Sequence, residues 1–284
     1  MNERDPLLGV DVGGTFTDIV LVAGGTVTTA KVPTTDDQSE GVITGVETVC
    51  ERADVDPEAV EGFRHGTTVA TNAMLEGEGA RTALVTTAGF GDVLEIGRQD
   101  RPALYDHTAA KPDPLVPAEH RYELDERATP DGIEREPDED TLLALLDRLR
   151  DATGREDRPV ESVAVSLLHA YAHPRTERTV TERLRAALDV PVVPSHETLP
   201  EFREYERTAT TVVDASVTPV VRTYLGALLD RTRDHDLPDP EVVQSNGGIA
   251  DIGTVRERAV TTVLSGPAAG VVGGSLFEPP DCAD

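Results

Sequence analysis

Along the chain, short apolar runs alternate with stretches in which apolar residues recur every three or four positions. The first pattern predicts strands and the second predicts helices, and the spacing of Val42, Val46 and Val49 is an example of the second. The predicted strands are 7–12, 18–22, 26–32, 63–65, 81–86, 160–168, 190–193 and 241–244. The predicted helices are 39–52, 69–76, 88–95, 140–150, 174–188 and 204–235, the last being one helix or two with a break at Pro219. This alternation of strands and helices makes the fold class α/β.

The most informative segment is 7–22, in which two predicted strands flank a loop of the form D-x-G-G-T-x-T-D. Two glycines let the backbone turn sharply and approach an anion closely, and successive backbone amides there can cradle phosphate oxygens. Asp11, at the carboxyl end of the first strand, can hold a magnesium ion, so we predict it as a metal ligand and a catalytic residue. The predicted cofactor-binding residues of this loop are Gly13, Gly14, Thr15, Thr17 and Asp18.

An ordinary Gly-Gly hairpin turn is the alternative for this loop. It accounts for the glycines, but not for the two acids and two threonines around them. The loop contains no lysine and the chain has no G-x-x-x-x-G-K-[ST] segment, so this is not a P-loop. Early antiparallel hairpins around a phosphate loop favour a mixed sheet over the order of a Rossmann fold.

A second candidate motif, H-G-T-T-V-A-T-N, begins at His65 and joins a predicted strand to a predicted helix. Thr67 or Thr68 can cap that helix, whose amide end attracts anions, and His65 can bond a substrate or transfer a proton. The alternative is that the threonines only cap the helix and that His65 satisfies nearby backbone groups. The catalytic candidates of this motif are His65 and Thr68.

Two glycine-containing segments near the end of the sequence also suit ligand binding. The segment Q-S-N-G-G, from Gln244, follows a predicted strand, where polar side chains and glycines suit a ligand crevice. In the segment L-S-G-P-A-A-G, from Leu264, a serine can cap a helix whose amides point at phosphate. A simple turn explains either segment by itself. The cofactor-binding candidates here are Gly247, Gly248, Ser265 and Gly266.

Other polar clusters point less clearly to chemistry. His169 and His173 follow a predicted strand, but no third metal ligand stands nearby, so we interpret them as structural or surface histidines. Acids and arginines alternate at 201–207, which predicts a solvated helix start with local ion pairs. No G-x-S-x-G segment occurs, which disfavours a serine hydrolase.

The charge of the chain limits its partners. Among 284 residues, 53 are acidic and 26 basic, giving a formal net charge of −27, and only Lys31 and Lys111 are lysines. Nucleic acids and anionic membranes are therefore not expected as partners, because their phosphates need clustered cations. An acid-rich, lysine-poor composition resembles proteins of salt-loving organisms, in which high internal salt screens the self-repulsion of the acids.

The cysteines and the amino terminus favour a cytoplasmic location. Cys50 and Cys282 are far apart and fit no metal or disulfide pattern. The first residues lack the apolar core of a signal peptide, and no uncharged apolar run approaches membrane-spanning length. We therefore expect a reducing compartment.

Taken in order, these motifs resemble those of the hydantoinase A/5-oxoprolinase family. The matching segments lie at 9–18, 65–72 with 86–90, 195–207, 244–248 and 264–270, so the resemblance extends over nearly the whole chain. It implies an actin-like or hexokinase-like ATPase fold with mixed sheets. It also implies that ATP and Mg²⁺ are used to open a cyclic amide, of the hydantoin or 5-oxoproline type, through phosphorylation of its carbonyl. A hydantoinase B-type subunit or domain is the implied partner.

The resemblance also implies an organisation into domains. An amino-terminal domain would occupy 1–195 and the start of a central domain 196–284. Prolines and charges dominate 99–136, which we predict to be a long irregular excursion with short strands near 121–124. A second D-x-G-G-T loop is expected soon after Gly270 and does not occur by Asp284, so we expect the second lobe to be truncated.

Three alternative functions remain open from the sequence. Sugar kinases also contain D-x-G-G-T loops, although they phosphorylate a hydroxyl group and need an aspartate base. Subunits of ATP-dependent ketone carboxylases are related to the hydantoinase family. A non-catalytic or split subunit that binds a partner would account for the missing second loop.

Overall fold

The strands and helices alternate as the sequence pattern predicts. The computed structural model describes residues 5–35, 37–100, 102–106 and 108–275. Its strands are β1 (Leu7–Val12), β2 (Phe16–Ala23), β3 (Thr26–Pro33), β4 (Gly62–Thr67), β5 (Thr82–Thr87), β6 (Arg121–Leu124), β7 (Arg127–Thr129), β8 (Gly132–Arg135), β9 (Ser162–Ser166), β10 (Val192–Pro194), β11 (Glu241–Val243) and β12 (Ile249–Asp251). Its α-helices are α1 (Gln38–Ala53), α2 (Val69–Glu76), α3 (Val93–Ile96), α4 (Glu139–Thr153), α5 (Arg175–Ala187), α6 (Ser195–Thr198), α7 (Glu204–Asp234), α8 (Ile252–Glu257) and α9 (Ser265–Ser275).

The described residues form two compact units. The second unit is Gly79–Pro219, and the first combines the residues before and after that stretch. Helix α7 contributes to both units, because the division falls at Pro219. The domain boundary expected after residue 195 stays a prediction, since the compact units are defined by packing alone.

The first unit contains a six-stranded mixed sheet in the order β12-β11-β4-β1-β2-β3. Strand β1 pairs with β2 antiparallel and with β4 parallel. Leu8, Val10 and Val12 of β1 are buried, and the alternation of strand side chains therefore puts Asp11 on the opposite face. Helix α1 packs on β2 and β3 so closely that a Cβ at Gly45 would lie 2.3 Å from Cδ1 of Ile19.

The second unit contains a four-stranded sheet in the order β10-β9-β5-β6, in which all neighbours are parallel. Helices cover both of its faces, as is usual for parallel sheets. On one face, Val163 and Val165 of β9 pack in a core with Leu145 of α4. On the other face, Ala164 packs in a smaller core with Val212 of α7.

Some elements differ from the sequence prediction. The predicted helix at 88–95 is only Val93–Ile96, and the excursion at 99–136 contains the hairpin β7–β8 besides β6. Strand β12 and helix α8 were not predicted. Helix α7 continues through Pro219, because buried residues on either side of the proline, such as Val217 and Val221, hold the backbone helical.

Among the described residues, α7 is the one helix whose length and hydropathy would allow it to cross a membrane. Half of its most apolar stretch is buried within the protein. Asp214 within the helix is fully buried and accepts a hydrogen bond from Thr198 Oγ1 at 3.0 Å. These contacts are typical of the core helix of a folded domain.

Candidate functional site

The glycine loop between β1 and β2 is a tight turn whose outer side is open. The Gly13 amide donates to the Phe16 carbonyl at 3.0 Å, and Thr34 Oγ1 donates to the Gly13 carbonyl at 2.9 Å. Gly14 and Thr15 are exposed, and their amides have no acceptor among the residues that the structure describes. Two neighbouring free amides are the arrangement that binds anions in backbone concavities.

Asp11 lies at the end of β1 beside this loop, on the face of the sheet opposite the core. It stands across from Asp18 in β2 and from Gly66 in β4. Partial burial, and then the negative charge of Asp18, raise the pKa of the Asp11 carboxyl. In the described part of the chain no cation pairs with Asp11, whereas Lys31 Nζ binds Asp18 at 2.7 Å. A divalent cation would relieve the repulsion between the two carboxylates.

Gly66 permits this position of Asp11. A Cβ at residue 66 would lie 2.8 Å from Asp11 Oδ1, which is closer than real Cβ contacts. The sequence contains Gly66 in the second motif, but its role depends on the parallel register of β1 and β4. The position beside Asp11 therefore requires glycine for steric reasons.

The second motif packs directly on the first. The amide and Oγ1 of Thr68 both donate to the Val12 carbonyl, at 3.2 and 3.0 Å. Asn72 Nδ2 donates to Thr68 Oγ1 at 3.2 Å and would lie 3.7 Å from a Cβ at Gly14. Thr67 Oγ1 accepts a hydrogen bond from the Val69 amide at 3.2 Å, so the side chain of Thr67, and not that of Thr68, caps the first turn of α2. These contacts bring the amino end of α2 to the glycine loop.

His65 is fully buried on the core face of β4. Its Nε2 and the Tyr224 hydroxyl are hydrogen-bonded at 2.8 Å, and its ring meets Phe63 edge-on with centroids 6.1 Å apart. Burial lowers the pKa of His65 to about 3, so the ring is neutral at ordinary pH. Its Nδ1 has no partner among the described residues. This position favours the structural alternative for His65, and its predicted catalytic role stays a prediction.

The two later motifs reach the same region. Ser265 Oγ, at the start of α9, donates to the Thr67 carbonyl at 3.2 Å, and the Leu264 amide donates to Thr71 Oγ1 at 3.0 Å. Gly247, in the left-handed conformation at φ +81°, lies so close to α9 that a Cβ would be 2.9 Å from Val272 Cγ2. The four motifs are therefore linked by contacts within the first unit.

Several predicted site residues occupy other surroundings. Thr17 is fully buried, and its Oγ1 lies 3.3 Å from Thr34 Oγ1. The Asp18 carboxylate is held by Lys31. The Gly248 amide donates to Asn246 Oδ1 at 2.8 Å, which closes a local turn. Gly266 has open space around it. Their predicted ligand contacts stay predictions.

The polar segment 195–207 lies in the second unit, and the helix start predicted at 201–207 is solvated only in part. Helix α7 begins at Glu204, residues 201–203 are exposed and Glu204 pairs with Arg207, but Arg207 itself is buried. Arg207 is fully buried and donates to Ser195 Oγ at 3.2 Å, to the Leu167 carbonyl at 2.9 Å and to the Glu204 carboxylate. Glu177, also buried, accepts from Ser195 and His196. The sequence could not indicate this network, because its members come from separate helices and strands.

The histidines 169 and 173 do not form a metal site among the described residues. His173 Nε2 lies 3.1 Å from the Pro130 carbonyl, and no group of three or more metal-ligating side chains occurs in the described part of the chain. His169 adopts a positive φ of 54° and its Nδ1 is buried. The structural or surface role of this pair stays a prediction.

Models of known protein families match the parts of the chain that contain these motifs. The family model described as the hydantoinase/oxoprolinase N-terminal region matches residues 7–188, and the hydantoinase/oxoprolinase model matches residues 207–279. Together they extend over all four motifs of the candidate site.

The chain belongs to the hydantoinase/oxoprolinase family.

Named relatives of this hydantoinase/oxoprolinase chain include subunits of larger enzymes. The caprolactamase subunit alpha of Pseudomonas jessenii is 34% identical over 99% of this chain and 41% of its own length. The 5-oxoprolinase 1 of Arabidopsis thaliana is 34% identical over 94% of this chain and 23% of its own length. The acetophenone carboxylase gamma subunit of Aromatoleum aromaticum is 33% identical over 95% of this chain and 39% of its own length.

The fold of this family member is confirmed by a solved structure. The ATP-dependent caprolactamase of Pseudomonas jessenii superimposes with a TM-score of 0.86 at 32% identity, over 98% of this chain and 41% of that one. The expected α/β fold with mixed sheets, of the actin-like or hexokinase-like type, is therefore confirmed. The chain spans about 40% of the length of the caprolactamase subunit.

Proposed function

We propose that this chain supplies the ATP-phosphate site of a larger enzyme that opens a cyclic amide. The observation that carries the proposal is that contacts join the four motifs in one unit, next to the carboxyl end of β1 where Asp11 lies. The relatives named caprolactamase and 5-oxoprolinase support a cyclic amide as the substrate class. The solved relative, described as ATP-dependent, supports ATP as the cosubstrate.

The phosphates would be held mainly by backbone donors. The free amides of Gly14 and Thr15 belong to exposed residues beside the amino end of α2, where the helix dipole favours negative charge. The hydroxyl of exposed Thr15 adds a neutral donor. Preorganised donors of this kind stabilise the charge of a phosphoryl group in transfer.

The donor set fits magnesium bound together with a nucleotide. Mg²⁺ commonly uses one or two carboxylates and completes its coordination with phosphates and water. Asp11 supplies a carboxylate without a cationic partner among the described residues, and Gly66 leaves room beside it. When bound, the ion would neutralise charge on the transferring phosphoryl group.

The proposed reaction transfers the γ-phosphoryl group of ATP to the amide carbonyl oxygen and releases ADP. Phosphorylation makes that oxygen a good leaving group. Water then adds to the carbon and the ring C–N bond breaks, which leaves an acyl phosphate and a free amine. A second water hydrolyses the acyl phosphate, so one lactam, one ATP and two waters give an amino acid, ADP and phosphate. Within this scheme His65 is a positioning residue, because its bond to Tyr224 supports β4 beneath Gly66.

A ketone carboxylase subunit is the second candidate. The similarity to the acetophenone carboxylase gamma subunit, at 33% identity, favours it specifically. The same phosphate site would serve either reaction, and dependence of ATP turnover on bicarbonate and a ketone would identify the carboxylase. Two of the relatives are named as subunits, which supports a partner subunit for this chain, such as a hydantoinase B-type subunit.

Calorimetric titration tests the phosphate site. The chain in concentrated potassium chloride is titrated with a nonhydrolysable ATP analogue, with Mg²⁺ or with a chelator. Asp11→Asn should weaken binding about tenfold or more with Mg²⁺, because a charged contact is lost, and should change little with the chelator. Asp239→Asn is the control, since Asp239 is bound to Arg233. Equal affinities of Asp11→Asn and the control with Mg²⁺ would refute the role of Asp11.

A further inference from the structure

The excursion after α3 lines an open cavity within the second unit. The cavity has a volume of about 650 Å³, within the usual range for small-molecule sites. Its lining comes from residues within 94–100, from Pro102 and from residues 111–114, together with Tyr205 at the start of α7. None of the motifs that form the phosphate site contributes to it.

Much of the cavity wall is apolar and stiff. Pro102, Pro112 and Pro114 restrict the backbone of the excursion, and Leu94 adds an aliphatic surface. The Tyr205 ring packs beside Gly97, where a Cβ would lie 3.6 Å from Cζ. Gly97 has a φ of +55°, a conformation that side chains other than glycine rarely adopt. A wall of this kind suits a compact apolar ring.

The polar groups of the cavity supply both a donor and an acceptor. Lys111 Nζ donates to the carbonyls of Ile96 at 2.9 Å and Glu95 at 3.4 Å, and an ammonium carries three N–H donors. One donor is therefore left for a ligand. Asp113 has no ion pair among the residues described, so its carboxylate is available as an acceptor.

We propose that this cavity binds the cyclic amide substrate, an inference that rests on the proposed function. A lactam is a small neutral ring with one carbonyl oxygen and one N–H. The ring methylenes would contact the prolines and Tyr205, the carbonyl oxygen would accept from Lys111, and the N–H would donate to Asp113. A phosphate-bearing ligand fits poorly, because three carboxylates, those of Glu95, Asp100 and Asp113, line the cavity against two cations, Arg98 and Lys111, and Arg98 is already paired with Glu206.

Nuclear magnetic resonance of the ¹⁵N-labelled chain tests the assignment directly. ε-Caprolactam is added in concentrated potassium chloride without nucleotide, and its open-chain amino acid serves as the comparison ligand. We expect lactam-dependent shifts at the lining residues within 94–100 and 111–114 and at Tyr205. Shifts located elsewhere, or none at all, would overturn the proposal.

Two variants give a second measurement in the same experiment. Lys111→Gln and Asp113→Asn should each weaken lactam binding about tenfold or more, because each removes a charge-assisted hydrogen bond. Asp113→Asn keeps the test decisive if Lys111→Gln loosens the excursion that Lys111 binds. Lys31→Gln is the matched control, since Lys31 is the other lysine of the chain and lies on β3. Unchanged lactam affinity in both cavity variants would contradict the assignment.

The outcome is separable from that of the proposed function. The ATP-analogue titration is run on the same preparations of the chain. If the parent chain binds the ATP analogue but no lactam, the cavity assignment is rejected and the phosphate site is retained. If the parent chain binds lactam in the cavity but no ATP analogue, the phosphate site is rejected and the cavity assignment is retained.

Discussion

Gly66→Ala tests the geometry of the proposed magnesium position without altering any charge. The residue stands beside Asp11 in the parallel pairing of β1 and β4. An added Cβ would lie 2.8 Å from Asp11 Oδ1, whereas ordinary contacts begin at 3.4 Å. The carboxylate must therefore move by about 0.6 Å, since the Cβ is fixed to the backbone of a strand paired on both sides.

A shift of this size matters more for ligand binding than for folding. Binding groups need to be held to within about 0.5 Å, and a misplacement of about 1 Å can cost about a hundredfold in rate. We therefore expect Gly66→Ala to weaken Mg²⁺-dependent nucleotide binding about tenfold. The free energy of unfolding should change little, because alanine restricts the unfolded chain by about 0.4–1 kcal/mol and this offsets local repulsion.

Gly9→Ala is the matched control for this substitution. Gly9 lies two positions before Asp11 on the same strand, and a Cβ there would meet only the Val20 carbonyl at 3.9 Å. Calorimetry with an ATP analogue compares both variants with the parent chain, with Mg²⁺ and with a chelator. Affinities that agree between Gly66→Ala and Gly9→Ala in the presence of Mg²⁺ would show that the reasoning about the carboxylate is wrong.

Three further predictions concern stability, each measured by urea unfolding. The pKa of His65 falls from 6.5 in the unfolded chain to about 3 in the folded chain, so between these values the unfolded state binds more protons. The contribution of neutral His65 to the free energy of unfolding is therefore complete above pH 6.5 and is lost as the pH falls towards 3. His65→Gln should remove a slope of about 1.4 kcal/mol per pH unit in that window, and an unchanged slope would contradict the assignment. Gly45→Ala should destabilise the chain by about 1–3 kcal/mol, because its Cβ would overlap buried Ile19, and an unchanged midpoint would refute the packing. The unfolding free energy should rise with potassium chloride, because salt screens the net charge of −27, and a flat response would exclude this explanation.

The elements that local patterns determine lie where the sequence predicts them. Helix α2 has the predicted bounds, because Gly77 adopts the left-handed conformation at φ +71° that ends it. Strand β6 also lies where predicted, at Arg121–Leu124. By contrast, the strand Ile249–Asp251 is too short to display a period of two, and it exists through its pairing with β11. Its position could not be predicted without that partner.

The candidate site depends on registers and distant contacts that a single sequence does not contain. The role of Gly66 follows from the pairing that sets it beside Asp11, 55 positions earlier in the numbering. The burial of His65 is easier to predict from the sequence, because strand alternation puts His65 on the same face of β4 as Phe63. Its partner Tyr224 is 159 residues away, and no local pattern links the two.

The two lysines of this acidic chain indicate how cations are used in it. Two arginines of the described residues donate to both oxygens of one carboxylate through the planar guanidinium, Arg185 to Glu197 and Arg233 to Asp239. Lys31 instead holds Asp18 beside the glycine loop, and Lys111 binds carbonyls at the cavity wall. An ammonium is a compact charge with three donors, so it can satisfy protein acceptors and still donate to a ligand.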